Sequence, residues 1–162
     1  MSFCWDSLEL AIYVDAPLDV VDWHWATEAG ITRWFIVEAA FKAPDAGEVR
    51  SPTDRVQPGD RYVWTWNNGT EERGVFEVCE PERRYVFSFG GTTQVEVTLS
   101  DVGGRTLVAL TQQTEATDED RFEVYRDCLQ GWTFYLANLK SMMEGGIDLR
   151  ETAPDRSGLV NV

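Results

Sequence analysis

The sequence predicts one α+β domain in which a curved antiparallel sheet wraps a long C-terminal helix, with aromatic rings lining the space between them. Three observations predict it. An alternating apolar segment near the N-terminus precedes two short stretches of helical spacing. Residues 37–114 then lose the helical period and are cut by four turn signals, and a single apolar stripe at three- and four-residue steps runs from Phe122 to Met143.

The first element is a strand from Glu9 to Asp15, because Leu8, Leu10, Ile12 and Val14 recur at the period of two that places side chains on one face. Asp15-Ala-Pro17 ends it. Proline costs little in a first helical turn, and Val21 and Trp25 follow at i, i+4 spacing, so a short helix is expected over residues 17–26. A second short helix is expected from Glu28 to Phe35.

Asn67-Asn-Gly69, Pro81-Glu82, Gly90-Gly91 and Gly103-Gly104 each supply a positive φ or a preset turn angle. Between them lie Tyr62, Trp64 and Trp66, then Gly74, Phe76 and Val78, then Tyr85, Phe87 and Phe89, then Val95, Val97 and Leu99, then Val108 and Leu110. This is an antiparallel meander with one apolar face. Glu77, Ser88, Gln94, Glu96 and Thr98 fall on the other face, as expected of a sheet solvated on one side.

The last helix is expected to start at Thr117-Asp118-Glu119-Asp120, where a capping side chain and acids suit the positive helix end, and to stop at Gly145-Gly146. Phe122, Tyr125, Leu129, Trp132, Leu136, Leu139 and Met143 make its stripe, on a helix of roughly 40 Å. Such a helix must lie on something equally long and apolar, and the meander's apolar face is the candidate. Residues 1–150 are expected to form the domain and residues 151–162 a mobile tail.

Composition narrows the function. A chain of 162 residues buries roughly 70% of the surface its unfolded form exposes, so it supports a core without staples. Seven Trp, eight Phe and five Tyr exceed what a minimal core of this length requires. The net charge of −14 opposes binding to nucleic acid, whose phosphates must be met by cations. Lys42 and Lys140 are the only lysines, and 28 carboxylates are spread through every segment, a surface that suits either a salt-rich, halophilic interior or simply an acidic bacterial protein. No stretch has the ~20 apolar residues of a membrane span, and the N-terminus lacks a signal-peptide pattern, so a cytoplasmic location is expected. Cys4, Cys79 and Cys128 are odd in number and lack CxxC spacing, which points to reduced thiols and away from a disulfide framework or zinc.

The order of strand, two short helices, meander and terminal helix is that of the helix-grip fold. Four pieces sharpen the match: Ala16-Pro17 through Val21 with Ala26-Thr27 and Arg33-Trp34-Phe35; Pro58-Gly-Asp-Arg-Tyr62; Gly74 through Val78 with Pro81 through Val86; and Gly131-Trp132 with Leu139-Lys140. Across residues 7–145 the chain resembles the activator-of-Hsp90-ATPase-homologue-like branch of the START-related superfamily. The resemblance implies a cavity between sheet and helix and a role in stress response. It implies no catalytic set, because the superfamily's lipid carriers, hormone receptors, cyclases and co-chaperone domains share none. No counterpart of the separate N-terminal chaperone-binding domain of full co-chaperones is found among these residues.

The candidate binding residues are Trp34, Tyr62, Trp64, Trp66, Phe76, Phe87, Phe89, Trp132, Tyr135 and Leu136, all on elements the fold points inward. Two readings stand side by side: the rings line a cavity for a small hydrophobic or aromatic molecule, or they fill the core. His24 is the only histidine and reads as a structural imidazole, so a Ser/His/Asp arrangement or a His-rich metal site has little to work with. Glu38 with Arg33 is the best acid–base candidate for a cyclase or hydrolase in the cavity, and Glu71-Glu72 reads as a turn exit. No phosphate loop, dinucleotide fingerprint or nucleophile elbow is present, and no cofactor or metal is expected. A chaperone-contacting module is the other functional class, and a homodimer is an option because an open sheet has edges to cover and Trp5 or Trp23 could lie outside the core.

Overall fold

The computed structural model describes residues 5–45, 47–91, 93–114 and 119–162. Alternation at the N-terminus produces β1 (Ser7–Val14), which buries Leu8 and Val14 and exposes Glu9 and Tyr13. Pro17 then opens α1 (Leu18–Ala26), which buries Val21, Trp25 and Ala26 together with Asp22 and His24. Helix α2 (Glu28–Ile31) is capped by the Thr27 hydroxyl, which accepts from the Gly30 N–H at 3.0 Å.

Helix α2 stops four residues short of the expected Phe35, its bonds tightening to i−3 where Arg33 N donates to Gly30 O at 3.1 Å and Trp34 N to Ile31 O at 3.4 Å. The Arg150 guanidinium, nearly buried, donates to the carbonyls of Thr32 (3.1 Å), Arg33 (3.0 Å) and Ile36 (2.7 Å). These are carbonyls that a helix running beyond Phe35 would use, and they are satisfied from outside. Trp34 and Phe35 leave the helix axis and turn into the core.

The remaining strands are β2 (Glu38–Lys42), β3 (Arg61–Thr65), β4 (Glu71–Glu80), β5 (Arg84–Phe89), β6 (Thr93–Val102) and β7 (Arg105–Gln113). They form one seven-stranded antiparallel sheet with β1, in the order β1-β7-β6-β5-β4-β3-β2. The four turn signals fall between consecutive strands from β3 to β7. At Gly103 and Gly104, φ values of 65° and 87° give the β6–β7 hairpin its tight reversal. Gly74 has a different role. It sits across from Tyr62, and a Cβ there would lie 2.5 Å from the Tyr62 ring, so the strand stays bare to let that ring through to donate to Ser88 O at 2.5 Å.

Helix α3 (Arg121–Met143) is about 35 Å long and buries Trp132, Tyr135, Leu136, Asn138 and Leu139. The expected start at Thr117-Asp118 lies outside the described residues, as does Cys4. The stripe is only partly used: Phe122 is 55% exposed, and Tyr125 and Leu129 are half-buried. Trp5 packs edge-on against Phe122 and Tyr125, with ring centroids 5.5 and 5.3 Å away. Asn138 interrupts the stripe for a reason periodicity does not carry: its amide donates to Trp34 O at 2.7 Å and its carbonyl accepts from Leu149 N at 2.8 Å. It pins the segment after α2 and the segment after α3 to one point. Residues 151–162 turn back along α3, where Asn161 bonds Leu149 O at 3.2 Å and Tyr135 donates to Val162 O.

Two buried aspartates tie loops to this frame. Asp22 accepts from Tyr85 Oη, Glu82 N and the Arg55 guanidinium; Asp60, in the Pro58–Tyr62 segment, takes Arg50 through both its oxygens and the Gln57 N–H. No helix among the described residues is long and apolar enough to cross a membrane.

Candidate ligand-binding cleft

The ten nominated residues separate into two groups. Trp34, Tyr62, Trp64, Phe76 and Phe87 are at most 1% exposed and pack ring on ring. Tyr62 stacks on Trp64 with centroids 3.8 Å apart, Trp64 meets Phe87 edge-on at 5.4 Å, and Phe87 lies 5.2 Å from Phe76. These rings fill the interior. Leu136 is buried with them.

Trp66, Phe89, Trp132 and Tyr135 face a space. With Phe35, Cys128, Gly131 and Asp127 they line a cleft of about 260 Å³ between the sheet and α3, walled almost wholly by carbon. It continues into a wider mouth of about 620 Å³, where Trp66, Phe89, Gly131 and Tyr135 are joined by Glu72, Gln130 and residues 158–160 and 162.

Each wall is fixed by its own element. On α3, residues 128, 131, 132 and 135 share one face by helical spacing. The Trp132 indole donates to the buried Gln112 side chain at 2.7 Å, and Gln112 donates in turn to Thr93 Oγ1 at 3.2 Å, so β6 and β7 set the ring's orientation. Phe35 stacks on Trp132 at 5.1 Å and meets Tyr135 edge-on at 4.8 Å. Trp66 and Phe89, just past β3 and at the end of β5, close the opposite side with centroids 6.5 Å apart.

Sequence reasoning missed Phe35, Cys128, Gly131 and Asp127 as cleft residues. Phe35 and Gly131 stood in the family motifs, but nothing local said that they face a common space. The face that meets the cleft is rotated from the most apolar stripe of α3, so apolar periodicity does not point to Cys128 or Gly131.

The electrostatics suit binding by desolvation and stacking. Burial pushes the Tyr135 phenol up to about 12, with the Arg150 charge and the Trp66 indole pulling the other way, so it stays a neutral donor at physiological pH. Burial also raises the Cys128 thiol, against a hydrogen bond to Gln112, which leaves it protonated and poorly nucleophilic. Asp127, largely exposed at the rim, is paired with Arg126 at 2.9 Å.

The acid–base candidates lie elsewhere. Glu38 is exposed on β2, and the Arg33 guanidinium lies over the Trp23 ring at 5.1 Å. His24 is buried on α1 with Nδ1 bonded to Val20 O at 2.7 Å, and burial lowers its pKa. Cys79 and Cys128 are free thiols, and no three His, Cys, Asp or Glu side chains among the described residues gather as a metal set.

The fold has many relatives. The Staphylococcus saprophyticus protein SSP2350 superposes with a TM-score of 0.71 at 17% identity, over 91% of this chain and 97% of its own. CalU16 from Micromonospora echinospora gives 0.64 at 26% identity, over 88% and 77%. The Aha1 dimer from Colwellia psychrerythraea gives 0.63 at 18%, over 86% and 97%. The first and third of these, at such low identity, speak for the fold alone. No protein of curated function matches the sequence. The model of the family described as activator of Hsp90 ATPase homolog 1-like protein matches residues 15–144, four-fifths of the chain from the end of β1 to the end of α3, and the chain belongs to that family.

Proposed function

We propose that this protein binds a small hydrophobic or aromatic molecule in the cleft between the sheet and α3. The observation that carries the reading is the set of five rings, Phe35, Trp66, Phe89, Trp132 and Tyr135, around unfilled space in an otherwise ring-packed interior. Apolar clefts with few oriented polar groups are the usual form of small-molecule sites. Desolvation of the ligand supplies the affinity at roughly 25 cal/mol per Å² of apolar surface buried. The Tyr135 hydroxyl, which donates to Val162 O, would orient it by accepting a hydrogen bond.

Native mass spectrometry of protein purified without hydrophobic additives tests this. A reproducible apolar adduct, weakened at least tenfold in Trp66→Ala, supports the reading. A clean unliganded mass, with no thermal shift across a panel of lipids and aromatics, refutes it.

Family membership favours one second reading, an interaction module that contacts a chaperone ATPase. Stimulation of a purified Hsp90-type ATPase by the wild type and equally by Trp66→Ala would select it over the cleft. The same proposal includes a reducing, salt-rich cytoplasm, supported by the free thiols and the charge of −14. It includes a homodimer through an open edge, β1 or β2, which sedimentation at high salt would detect.

A further inference from the structure

Gly131 stands in the interior of α3, where glycine is the least favourable residue after proline. A glycine is usually kept in an element because another group approaches too closely for a Cβ. Gly30 and Gly74 are of that kind, since a Cβ would come within 2.3 Å of Trp23 O and 2.5 Å of the Tyr62 ring. At Gly131 a Cβ would meet no heavy atom within 4 Å. Packing does not ask for this glycine.

The open space beside it is the cleft. Gly131 lines both the ring-walled slot and its mouth, with Trp66 and Phe89 across from α3 and the Trp132 ring held by Gln112 beside it. One bare backbone position facing aromatic rings leaves room for a guest to approach the helix, and rings pair best with rings. Resting on the binding function proposed above, we infer that Gly131 is the specificity-determining residue of the cleft: its missing side chain gives clearance for a planar aromatic ring system laid against α3. Saturated or branched molecules of the same apolar area, being thicker, are expected to bind less tightly.

Matched probes and two variants test the inference. The probes are 2-naphthol and its saturated counterpart decahydro-2-naphthol, and the variants are Gly131→Ala and Gly131→Leu. Wild-type protein is expected to bind 2-naphthol at least tenfold more tightly than the saturated alcohol. Gly131→Ala is expected to raise Tm by about 2–4 °C through helix propensity while weakening 2-naphthol, and Gly131→Leu to abolish binding with the fold intact by circular dichroism. An unchanged or lowered Tm in Gly131→Ala makes this a packing glycine and overturns the inference without reference to any ligand. Equal affinity for the two alcohols, or full 2-naphthol binding by Gly131→Leu, overturns it while the binding function stands. If wild-type protein binds neither alcohol nor any member of the apolar panel, the binding function fails and the role of Gly131 with it.

Discussion

Asp22→Ala is expected to cost about 3 kcal/mol of folding stability, and the structure shows where that figure arises. The carboxylate is fully buried on α1 and accepts from Tyr85 Oη at 2.6 Å, from Glu82 N at 2.7 Å and from the Arg55 guanidinium. It therefore joins α1 to the β4–β5 turn and to the loop before β3. In the alanine variant Arg55, with 35% of its side chain exposed, turns to water at a loss of about 0–1 kcal/mol. Tyr85 is 1% exposed and, like the Glu82 N–H, has lost its acceptor; each orphaned donor costs about 1–3 kcal/mol. Out of a total stability of about 5–15 kcal/mol this is a large share, worth a Tm drop of about 6–12 °C. Urea unfolding followed by tryptophan fluorescence in high salt reads it, with surface repulsion screened and the m-value checked for constancy. Tyr85→Phe alone is expected to lose about 1 kcal/mol, and the double variant less than the sum, because the two residues share one hydrogen bond. A loss below about 1 kcal/mol in Asp22→Ala at unchanged m would refute the assignment of Asp22 as the tie between these elements.

Other consequences can be checked in the same assay. Arg150→Met leaves the carbonyls at residues 32–36 without their donor and is expected to lose about 2–3 kcal/mol, with faster amide exchange in the segment after α2. His24 has its pKa lowered from 6.5 by burial, with the Arg33 charge adding to the fall against the bond to Val20 O, and its buried Nε2 has no partner among the described residues. Because the unfolded chain binds the proton more readily, the neutral imidazole's contribution is complete above pH 6.5 and is lost as pH falls below that toward the depressed folded value. His24→Gln is expected to flatten the pH dependence of stability between pH 7.5 and 5.5, and an unaltered slope would remove His24 as its source. With a net charge of −14, wild-type Tm is expected to rise between 50 mM and molar KCl as carboxylate repulsion is screened; a flat or falling curve would contradict the salt-rich setting.

Much of the architecture was legible because local periodicity and turn chemistry agree with the global fold. The alternation in β1, the four turns of the meander and the apolar stripe of α3 are each short-range patterns, and each is observed close to its expected place. Where expectation and structure differ, a distant residue decides. Arg150 takes the carbonyls of Thr32, Arg33 and Ile36 where the chain leaves α2, and Asn138 sits inside an apolar stripe because Trp34 O and Leu149 N need it there.

The sequence by itself determined most of the elements, their order, the family and the supply of aromatic rings. Only the tertiary structure decided which rings face one another and which face a void. Period and composition say that a side chain is turned inward, but they carry no information on what arrives from the other side. Phe35 reaches Trp132 from the turn after α2, Trp66 and Phe89 come from just past β3 and the end of β5, and Gly131 adds no side chain to the wall. The same inward pattern gave a close-packed ladder at Tyr62, Trp64, Phe76 and Phe87, a few residues away on the same sheet. The difference between core and cleft is a matter of how closely two elements approach, and that distance is a property of the whole fold.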